Sequence, residues 1–325
     1  MNNAVKGLNV LSLFDGVSIG RLALEQAGFK VDNYFSSEID KHAIQVTKSN
    51  WPETIHVGDV TKLDASVFPK IDIMFAGFPC QSISNLGKGE GLEGKSGLFW
   101  EFVRLKDGLK PTYWLVENVS GLKKAIDEIT SVLGVEPIRI NSSLMTAQKR
   151  DRLYWTNIPN ITQPQDMGII LKDILEPGLP ELSILTPGRA RWVCSEKGQQ
   201  CFDKRYAVLD PIKANCLTAR SDGSWNSNYV TRGEQITRLT PIEYERLQGM
   251  PSGYTESIRT SERYKSIGNS WSVPIISHIL KNIPQNMLTQ DDESLSMELH
   301  QGNNLAQDEQ TRNHPHERII EDLPN

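Results

Sequence analysis

The chain has 325 residues, of which 38% are hydrophobic and 23% are charged, and its formal net charge is −5. This length predicts about two domains. Because no run of about eighteen apolar residues occurs, we expect no membrane span. The first residues lack the apolar block and cleavage site of a signal peptide, so we expect a cytoplasmic protein. Four scattered cysteines without zinc-type spacing argue against a disulfide framework and against a metal site.

The negative charge is concentrated at the end of the chain. Residues 285–325 contain nine acidic and two basic residues, which leaves a slight positive excess in the remainder. The end of the chain is also polar and poor in apolar residues, so we predict a disordered acidic tail over 289–325. The net charge of the whole chain therefore does not exclude a nucleic-acid partner.

The first half of the chain alternates strand-like and helix-like segments. Apolar runs predict strands over Leu8–Phe14, Val31–Ser37, Ile55–Val60, Ile71–Ala76 and Tyr113–Val116, with further extended segments at Pro137–Ile140 and Arg152–Trp155. Helical spacing predicts helices over Ile19–Gln26, Lys41–Ser49, Ser96–Leu105 and Leu122–Leu133. Alternation of this kind predicts an α/β fold with a doubly wound sheet.

The character of the sequence changes after Ile158. Up to Arg238 it is irregular and polar, and only a short helix near Met167–Leu175 is indicated. A capping box with proline at the first helical position then opens a helix at Thr240, and Val273–Leu280 predicts the last helix. We therefore predict one domain from 1–157 and 239–288, a smaller domain over 158–238, and the tail.

Three features at predicted strand ends favour a ribose-bearing cofactor. A glycine turn, Phe14–Gly20, follows the first strand and opens a helix, where backbone N–H groups can approach a ligand. Glu38 ends the second strand at the distance typical of a ribose-binding acid, and Asp59 follows the third. The alternatives are a purely structural turn and solvated helix-capping acids.

Candidate catalytic groups follow the next two strands. Cys80 comes after Phe78-Pro79 and before a glycine-rich loop, where a nucleophile would be accessible; the alternative is a small buried residue. Glu117 lies at the end of the strand that begins at Tyr113. Arg150 and Arg152 share one face of a strand, and this pair taken alone is better explained by an exposed charged edge strand.

This ordered set resembles the DNA (cytosine-5) methyltransferase family over roughly Asn9–Ile283. The motifs that carry the resemblance are Phe14-Asp15-Gly16, Glu38, Asp59, Pro79-Cys80-Gln81, Glu117-Asn118-Val119, Gln148-Lys149-Arg150-Asp151-Arg152, Arg238-Leu239-Thr240-Pro241 through Gln248-Gly249, and Gly268-Asn269-Ser270. The resemblance implies a Rossmann-like, S-adenosylmethionine-dependent methyltransferase sheet with a smaller target-recognition domain over 158–238. It implies methylation of cytosine C5 in double-stranded DNA, by a monomer in a bacterial or phage-infected cell.

The resemblance also implies roles for individual residues. Cys80 would attack cytosine C6, assisted by Gln81, while Glu117 acts at N3 and Arg152, supported by Arg150, orients the base. Residues implied to bind S-adenosylmethionine are Phe14, Asp15, Gly16, Ser18, Ile19, Gly20, Glu38, Ile39, Asp59, Val60, Pro79, Leu98, Asn269, Ser270 and Trp271. Residues implied to contact DNA are Ser82, Ser84, Thr218 and Arg220. Further basic residues of the smaller domain are candidates for phosphate or base contacts: Arg189, Arg191, Lys204, Arg205 and Arg232.

The sequence departs from the family pattern in two places, and two other functions stay open. The first glycine motif is a variant, and Cys216 stands where the family usually has threonine. An RNA cytosine-5 methyltransferase would commonly carry Pro-Pro-Cys and Cys-Phe-Thr, which this chain lacks. A catalytically silent DNA-binding relative would have no need of Cys80, Glu117 and Arg152 together.

Overall fold

The structure is a computed structural model that describes residues 7–79, 95–180, 183–205, 207–219 and 228–284, with side chains omitted at 95, 96 and 201–205. The strands are β1 (Leu8–Leu13), β2 (Val31–Ser37), β3 (Ile55–His56), β4 (Ile73–Ala76), β5 (Tyr113–Val119), β6 (Ile138–Asn141), β7 (Gln148–Lys149), β8 (Asp151–Thr156), β9 (Val208–Leu209), β10 (Ala214–Asn215), β11 (Asn228–Arg232) and β12 (Gln235–Arg238). The α-helices are α1 (Ile19–Gln26), α2 (Lys41–Asn50), α3 (Phe99–Leu109), α4 (Lys123–Leu133), α5 (Leu171–Ile174), α6 (Pro187–Cys194), α7 (Glu196–Arg205), α8 (Pro241–Gln248), α9 (Thr260–Asn269) and α10 (Val273–Leu280). Short 3₁₀ turns occupy Val60–Lys62, Ala65–Val67, Lys95–Leu98 and Ser142–Leu144.

A seven-stranded sheet has the order β3-β2-β1-β4-β5-β8-β6. Strands β1 to β5 pair in parallel, whereas β8 pairs antiparallel with both β5 and β6. The strand order reverses between β1 and β4, which is the position where doubly wound sheets bind ligands outside the carboxyl ends of their strands. The predicted α/β fold with a doubly wound, mostly parallel sheet is confirmed.

Both faces of the sheet are buried, as the continuous apolar strands require. On one face the strand residues Leu11, Met74 and Val116 pack in a cluster with apolar residues of α3 and α4. On the other face α1 packs against α10, and Gly20 lies directly over the Phe75 ring. A side chain at Gly20 would meet that ring at 2.7 Å, so the glycine allows α1 to sit close to the sheet.

Two small sheets lie beyond the main one: β10 pairs with β7, and β12-β11-β9 form the other. Helices α6 and α7 precede β9, and neither is predicted from the sequence because their apolar residues show little periodicity. The local signal for α6 was proline at its first turn, after Thr186. Helix α9 was also missed, while α8 has the predicted capping box between Thr240 and Glu243.

The contact pattern divides the chain into Met1–Ile283 and Pro284–Asn325. The predicted tail over 289–325 lies outside the described residues. The proposed border of the smaller domain at 158–238 stays a prediction. Among the described residues no helix is long and apolar enough to cross a membrane.

Candidate functional site

The carboxyl ends of the parallel strands bring the predicted site residues to one edge of the sheet. The Phe14–Gly20 turn follows β1, Glu38 follows β2, and Asp59 lies three residues beyond β3. Gly77–Pro79 follow β4, and Glu117 lies near the end of β5. Because these strands are parallel neighbours, the predicted cofactor and catalytic residues share an edge at the reversal of strand order.

The buried side chain of Asp15 stabilises the turn after β1. Phe14, Gly16 and Ser18 all have φ between 56° and 58°, the left-handed conformation that lets the chain fold back over the strand ends. The buried Asp15 carboxylate accepts hydrogen bonds from Ser18 Oγ at 2.5 Å and from Tyr34 Oη at 2.7 Å. Burial raises the pKa of Asp15 although hydroxyl donors oppose this shift. The side chain of Asp15 thus supports the turn from inside.

Glu38 links the turn to the end of β2. Its Oε2 accepts from the Gly16 N–H at 2.8 Å, and its Oε1 accepts from the N–H groups of Ile39 at 2.7 Å and Asp40 at 2.8 Å. The adjacent Ile39 side chain is 76% exposed. The exposed Ile39 side chain can pack against a flat ring. The Glu38 carboxylate beside it is held in place and can accept hydrogen bonds from hydroxyl groups.

The outer part of this edge is formed by Asp59. Its Oδ1 accepts from the N–H of Thr61 at 3.0 Å and from its hydroxyl at 2.9 Å. Hydrogen bonds from Thr61 lower the pKa of Asp59, so the side chain is a carboxylate at neutral pH. Val60 beside it is buried and Leu98 is half-buried, and both belong to the cluster under α3.

Glu117 is buried among groups from three separate segments. Trp271 Nε1 donates a hydrogen bond to Glu117 Oε2 at 3.0 Å, and Arg152 Nε lies 2.9 Å from Oε1. The Arg152 contact is an ion pair without hydrogen-bond geometry. Glu117 Oε1 is buried, and it accepts no hydrogen bond from any of the described residues. The neighbouring Asn118 Nδ2 donates to Phe78 O at 3.2 Å and so fixes the chain just before Pro79.

Arg150 connects the segments around the site through hydrogen bonds to backbone carbonyl groups. The strand is interrupted at this residue, and the buried guanidinium donates to Leu217 O at 3.1 Å, Gly268 O at 3.3 Å and Ser270 O at 2.8 Å. Burial lowers the pKa of Arg150, and the positive charge of Arg152 adds to this effect. Arg150 thus ties together two segments that are distant in sequence.

Cys216 lies between the two arginines. Arg150 Nη1 is 3.5 Å and Arg152 Nη2 is 3.7 Å from Cys216 Sγ, so both guanidinium groups do reach the same side of the strand. Burial alone would raise the pKa of the Cys216 thiol, but the two arginines outweigh it and lower that pKa from 9.0. Burial would likewise lower the pKa of Arg152, yet Cys216 and Glu117 raise it.

Two buried glutamines connect this site to α8 and to the loop that contains Thr218. Gln148 Oε1 accepts from the Leu217 N–H at 2.8 Å, and its Nε2 donates to Gln248 Oε1 at 3.1 Å. Gln248 Nε2 in turn donates to Ser270 O at 3.1 Å. The sequence analysis gave neither glutamine a role, although both stand inside motifs that it identified.

Several predicted residues lie outside the described part of the chain, and one basic candidate has another role. Cys80, Gln81, Ser82, Ser84 and Arg220 are not described. Arg232, a candidate for DNA contact, is instead paired with the fully buried Glu243 of α8, and its Nη1 donates to Glu176 O at 2.8 Å. This expectation for Arg232 was wrong, because folding places Arg232 of β11 against Glu243 at the start of α8, a pairing that the local sequence pattern does not predict.

The remaining predicted positions lie at the C-terminal end of α9 and in the loop after β10. Asn269 is exposed, Ser270 is buried and Trp271 is half-buried. Thr218 is half-buried and its backbone runs against Gly268. Among the described residues no group of three or more His, Cys, Asp and Glu side chains could hold a metal ion.

Comparison with known proteins gives consistent matches over most of the chain. A family model described as C-5 cytosine-specific DNA methylase matches residues 8–181 and 192–285. Type II methyltransferase M1.ScrFI of Lactococcus lactis subsp. cremoris is 30% identical over 87% of this chain and 79% of its own length. Type II methyltransferase M.HhaI of Haemophilus parahaemolyticus is 29% identical over 85% of this chain and 94% of its own.

Solved structures share the fold at lower identity. The Entamoeba histolytica methyltransferase EhMeth superposes with a TM-score of 0.71 at 16% identity, covering 85% of this chain and 98% of that one. A putative DNA modification methyltransferase encoded within an Escherichia coli prophage gives a TM-score of 0.64 at 22% identity, with 85% and 98% coverage. At these identities the likeness concerns the fold alone.

Proposed function

Since the chain belongs to the C-5 cytosine-specific DNA methylase family and is therefore a DNA (cytosine-5) methyltransferase, we propose that Cys80, Glu117 and Arg152 carry its reaction. The observation that carries this proposal is the buried Glu117 Oε1, which lies beside Arg152 and accepts no hydrogen bond within the described part of the chain. Such an oxygen is available to a ring nitrogen of a bound base. Asn118 additionally fixes the segment that leads into Cys80.

The chemistry explains why these residue types are needed. Cytosine C5 is a weak nucleophile until the Cys80 thiolate adds to C6, because the electrons of the C5–C6 double bond then move toward N3. A proton passes from Glu117 to N3, which leaves an enamine with electron density at C5. After C5 gains its methyl group, a solvent base removes H5 as a proton, which restores the C5–C6 double bond and expels the Cys80 thiolate, and N3 returns its proton to Glu117. Arg152 holds the base and balances the charge of Glu117.

We propose S-adenosylmethionine as the methyl donor, held along the β1, β2 and β3 ends. A sulfonium compound of this kind supplies an electrophilic methyl group without a metal. The residues fit the ligand: the space where a Gly16 Cβ would lie is open, Glu38 is fixed as an acceptor, and Ile39 is exposed. Asp15 would contribute through the backbone of its turn, since its carboxylate is used internally.

Double-stranded DNA is the substrate, and the target base must leave the helix before C6 can be reached. We propose that the segment around Thr218 contacts the DNA, together with Ser82, Ser84 and Arg220. The relatives are named type II methyltransferases, which supports a role in DNA modification of the restriction–modification kind. A monomer located in the cytoplasm stays our expectation.

Covalent trapping tests the nucleophile. DNA with 5-fluorocytosine at the target should form a denaturant-stable adduct, because fluorine cannot leave as H5 does. Cys80→Ser should lose the adduct and methyl transfer while it keeps cofactor binding, since a serine alkoxide is much harder to form than a thiolate. Cys194→Ser is the matched control, because Cys194 is an exposed thiol. An adduct mapped by mass spectrometry to Cys194 or Cys216 would contradict the assignment.

A further inference from the structure

The indole of Trp271 makes a directed contact with the proposed catalytic acid. Its Nε1 donates to Glu117 Oε2 at 3.0 Å, and among the described residues it is the hydrogen-bond donor to the carboxyl group of Glu117. Among the residues that the structure describes, the other oxygen, Oε1, has the Arg152 ion pair at 2.9 Å and accepts no hydrogen bond. The two carboxyl oxygens of Glu117 are therefore not equivalent.

The fold holds the indole firmly in this position. The Trp271 ring meets Phe75 edge-on, with ring centroids 6.0 Å apart and an interplanar angle of 90°. A side chain at Gly77 would place its Cβ 2.7 Å from the indole Nε1, so only glycine there allows the approach. The preceding carbonyl, that of Ser270, is held by Arg150 at 2.8 Å. The contact is thus built by three separate segments.

An indole N–H can donate a hydrogen bond but cannot accept one. Donation to Oε2 therefore stabilises Oε2 as an acceptor and disfavours a proton on that oxygen. With Oε2 held by the indole, Oε1, which accepts no hydrogen bond among the described residues, is the oxygen left to face a bound base. When the thiolate adds to C6 and a proton passes from Glu117 to N3, the carboxylate that remains keeps the indole N–H and the Arg152 ion pair.

We propose that Trp271 is a positioning residue for the methyltransferase reaction, which acts by fixing the carboxyl group of Glu117 so that Oε1 is presented to cytosine N3. This inference rests on the role proposed above for Glu117. Trp271, which we expect at the cofactor pocket, thereby also contacts Glu117, the group that transfers the proton. Cofactor binding and base activation would then share one side chain.

The test compares Trp271→Phe, which keeps a ring and removes the N–H, with Trp155→Phe as a matched control. Trp155 is a buried indole that donates to Thr130 Oγ1 at 3.0 Å, within the core. The rate of adduct formation on 5-fluorocytosine DNA should fall roughly tenfold or more in Trp271→Phe, since hydrogen bonds to charged groups are among the stronger ones. It should stay unchanged in Trp155→Phe, and calorimetry should show cofactor affinity in Trp271→Phe within about threefold of the parent.

A double-mutant cycle with Glu117→Gln separates positioning from general damage. If Trp271 acts through Glu117, adding Trp271→Phe to Glu117→Gln causes no further loss of trapping rate. An equal loss in both backgrounds, or a normal rate in Trp271→Phe, overturns the inference. A normal rate in Glu117→Gln instead overturns the role proposed for Glu117 itself. Gly77→Ala, which displaces the indole, should reproduce the defect of Trp271→Phe and offers a second route to the same result.

Discussion

Replacement of Arg150 by methionine should destabilise the protein by about 2 kcal/mol, because buried carbonyl groups lose a charged donor. The carbonyl oxygens of Leu217, Gly268 and Ser270 accept hydrogen bonds from this guanidinium. Ser270 O keeps a second donor, Gln248 Nε2 at 3.1 Å, so the loss falls mainly on the other two. A buried acceptor left without a donor costs about 1–3 kcal/mol. We take the lower end of this range for each carbonyl group that loses its donor. Burial of the Arg150 charge is itself unfavourable, so its removal offsets part of the lost free energy of unfolding.

Arg139→Met is the matched control for this prediction. Arg139 lies on the adjacent strand β6, is 68% exposed and pairs with Asp151 at 2.5 Å. An exposed pair of this kind contributes about 0–1 kcal/mol. Urea unfolding at equilibrium measures both free energies, and the slopes show whether the unfolding transitions are comparable.

The two roles of Arg150 predict different outcomes. As a brace, Arg150→Met loses stability and activity together, because the loops at Leu217 and Ser270 are released. If Arg150→Met unfolds within about 1 kcal/mol of the parent protein yet fails to methylate DNA, the bracing argument is refuted. Arg150 would then act directly on the base.

Three further predictions concern the cofactor edge, the DNA-facing loop and the thiol. Glu38→Ala removes the acceptor of the Gly16 N–H and should weaken S-adenosylmethionine binding roughly tenfold or more; unchanged affinity by calorimetry in a folded variant would contradict the pocket. Gly268→Ala places a Cβ 2.4 Å from the Thr218 carbonyl, so the loop must shift. We expect a higher KM for DNA and a loss of about 1–3 kcal/mol in stability, with cofactor affinity retained; an unchanged KM for DNA would argue against a DNA contact there. Because its pKa is lowered in the folded protein, Cys216 should keep more thiolate as the pH falls below 9.0 than it does in the unfolded chain. The alkylation of Cys216 by iodoacetamide, followed by mass spectrometry, should therefore reach half of its maximal rate at a lower pH in the folded protein than in urea, and equal midpoints would refute the lowered pKa.

Local signals in the sequence determined most of the secondary structure and the order of the site residues. The helix over Ile19–Gln26, the strand over Val31–Ser37 and the capping box at Thr240 were predicted with their observed bounds. Each depends on residues within about one helical turn or one strand, such as caps, glycine stops and apolar periodicity. The same local reasoning placed Glu38 and Glu117 at one edge, because parallel strands end together.

Tertiary structure alone decided which partners the buried Arg150 and Arg232 have. Arg150 and Arg232 look alike in the sequence, as basic residues in polar surroundings, yet one braces carbonyl groups and the other neutralises buried Glu243. The contact between Trp271 and Glu117 joins residues 154 positions apart. Such pairings depend on which distant segments the sheet and α9 bring together, and no local pattern encodes that distance. Local sequence patterns therefore specified most elements of the main sheet and their order in the chain, while tertiary packing determined the partners of the buried Arg150, Arg232 and Glu117.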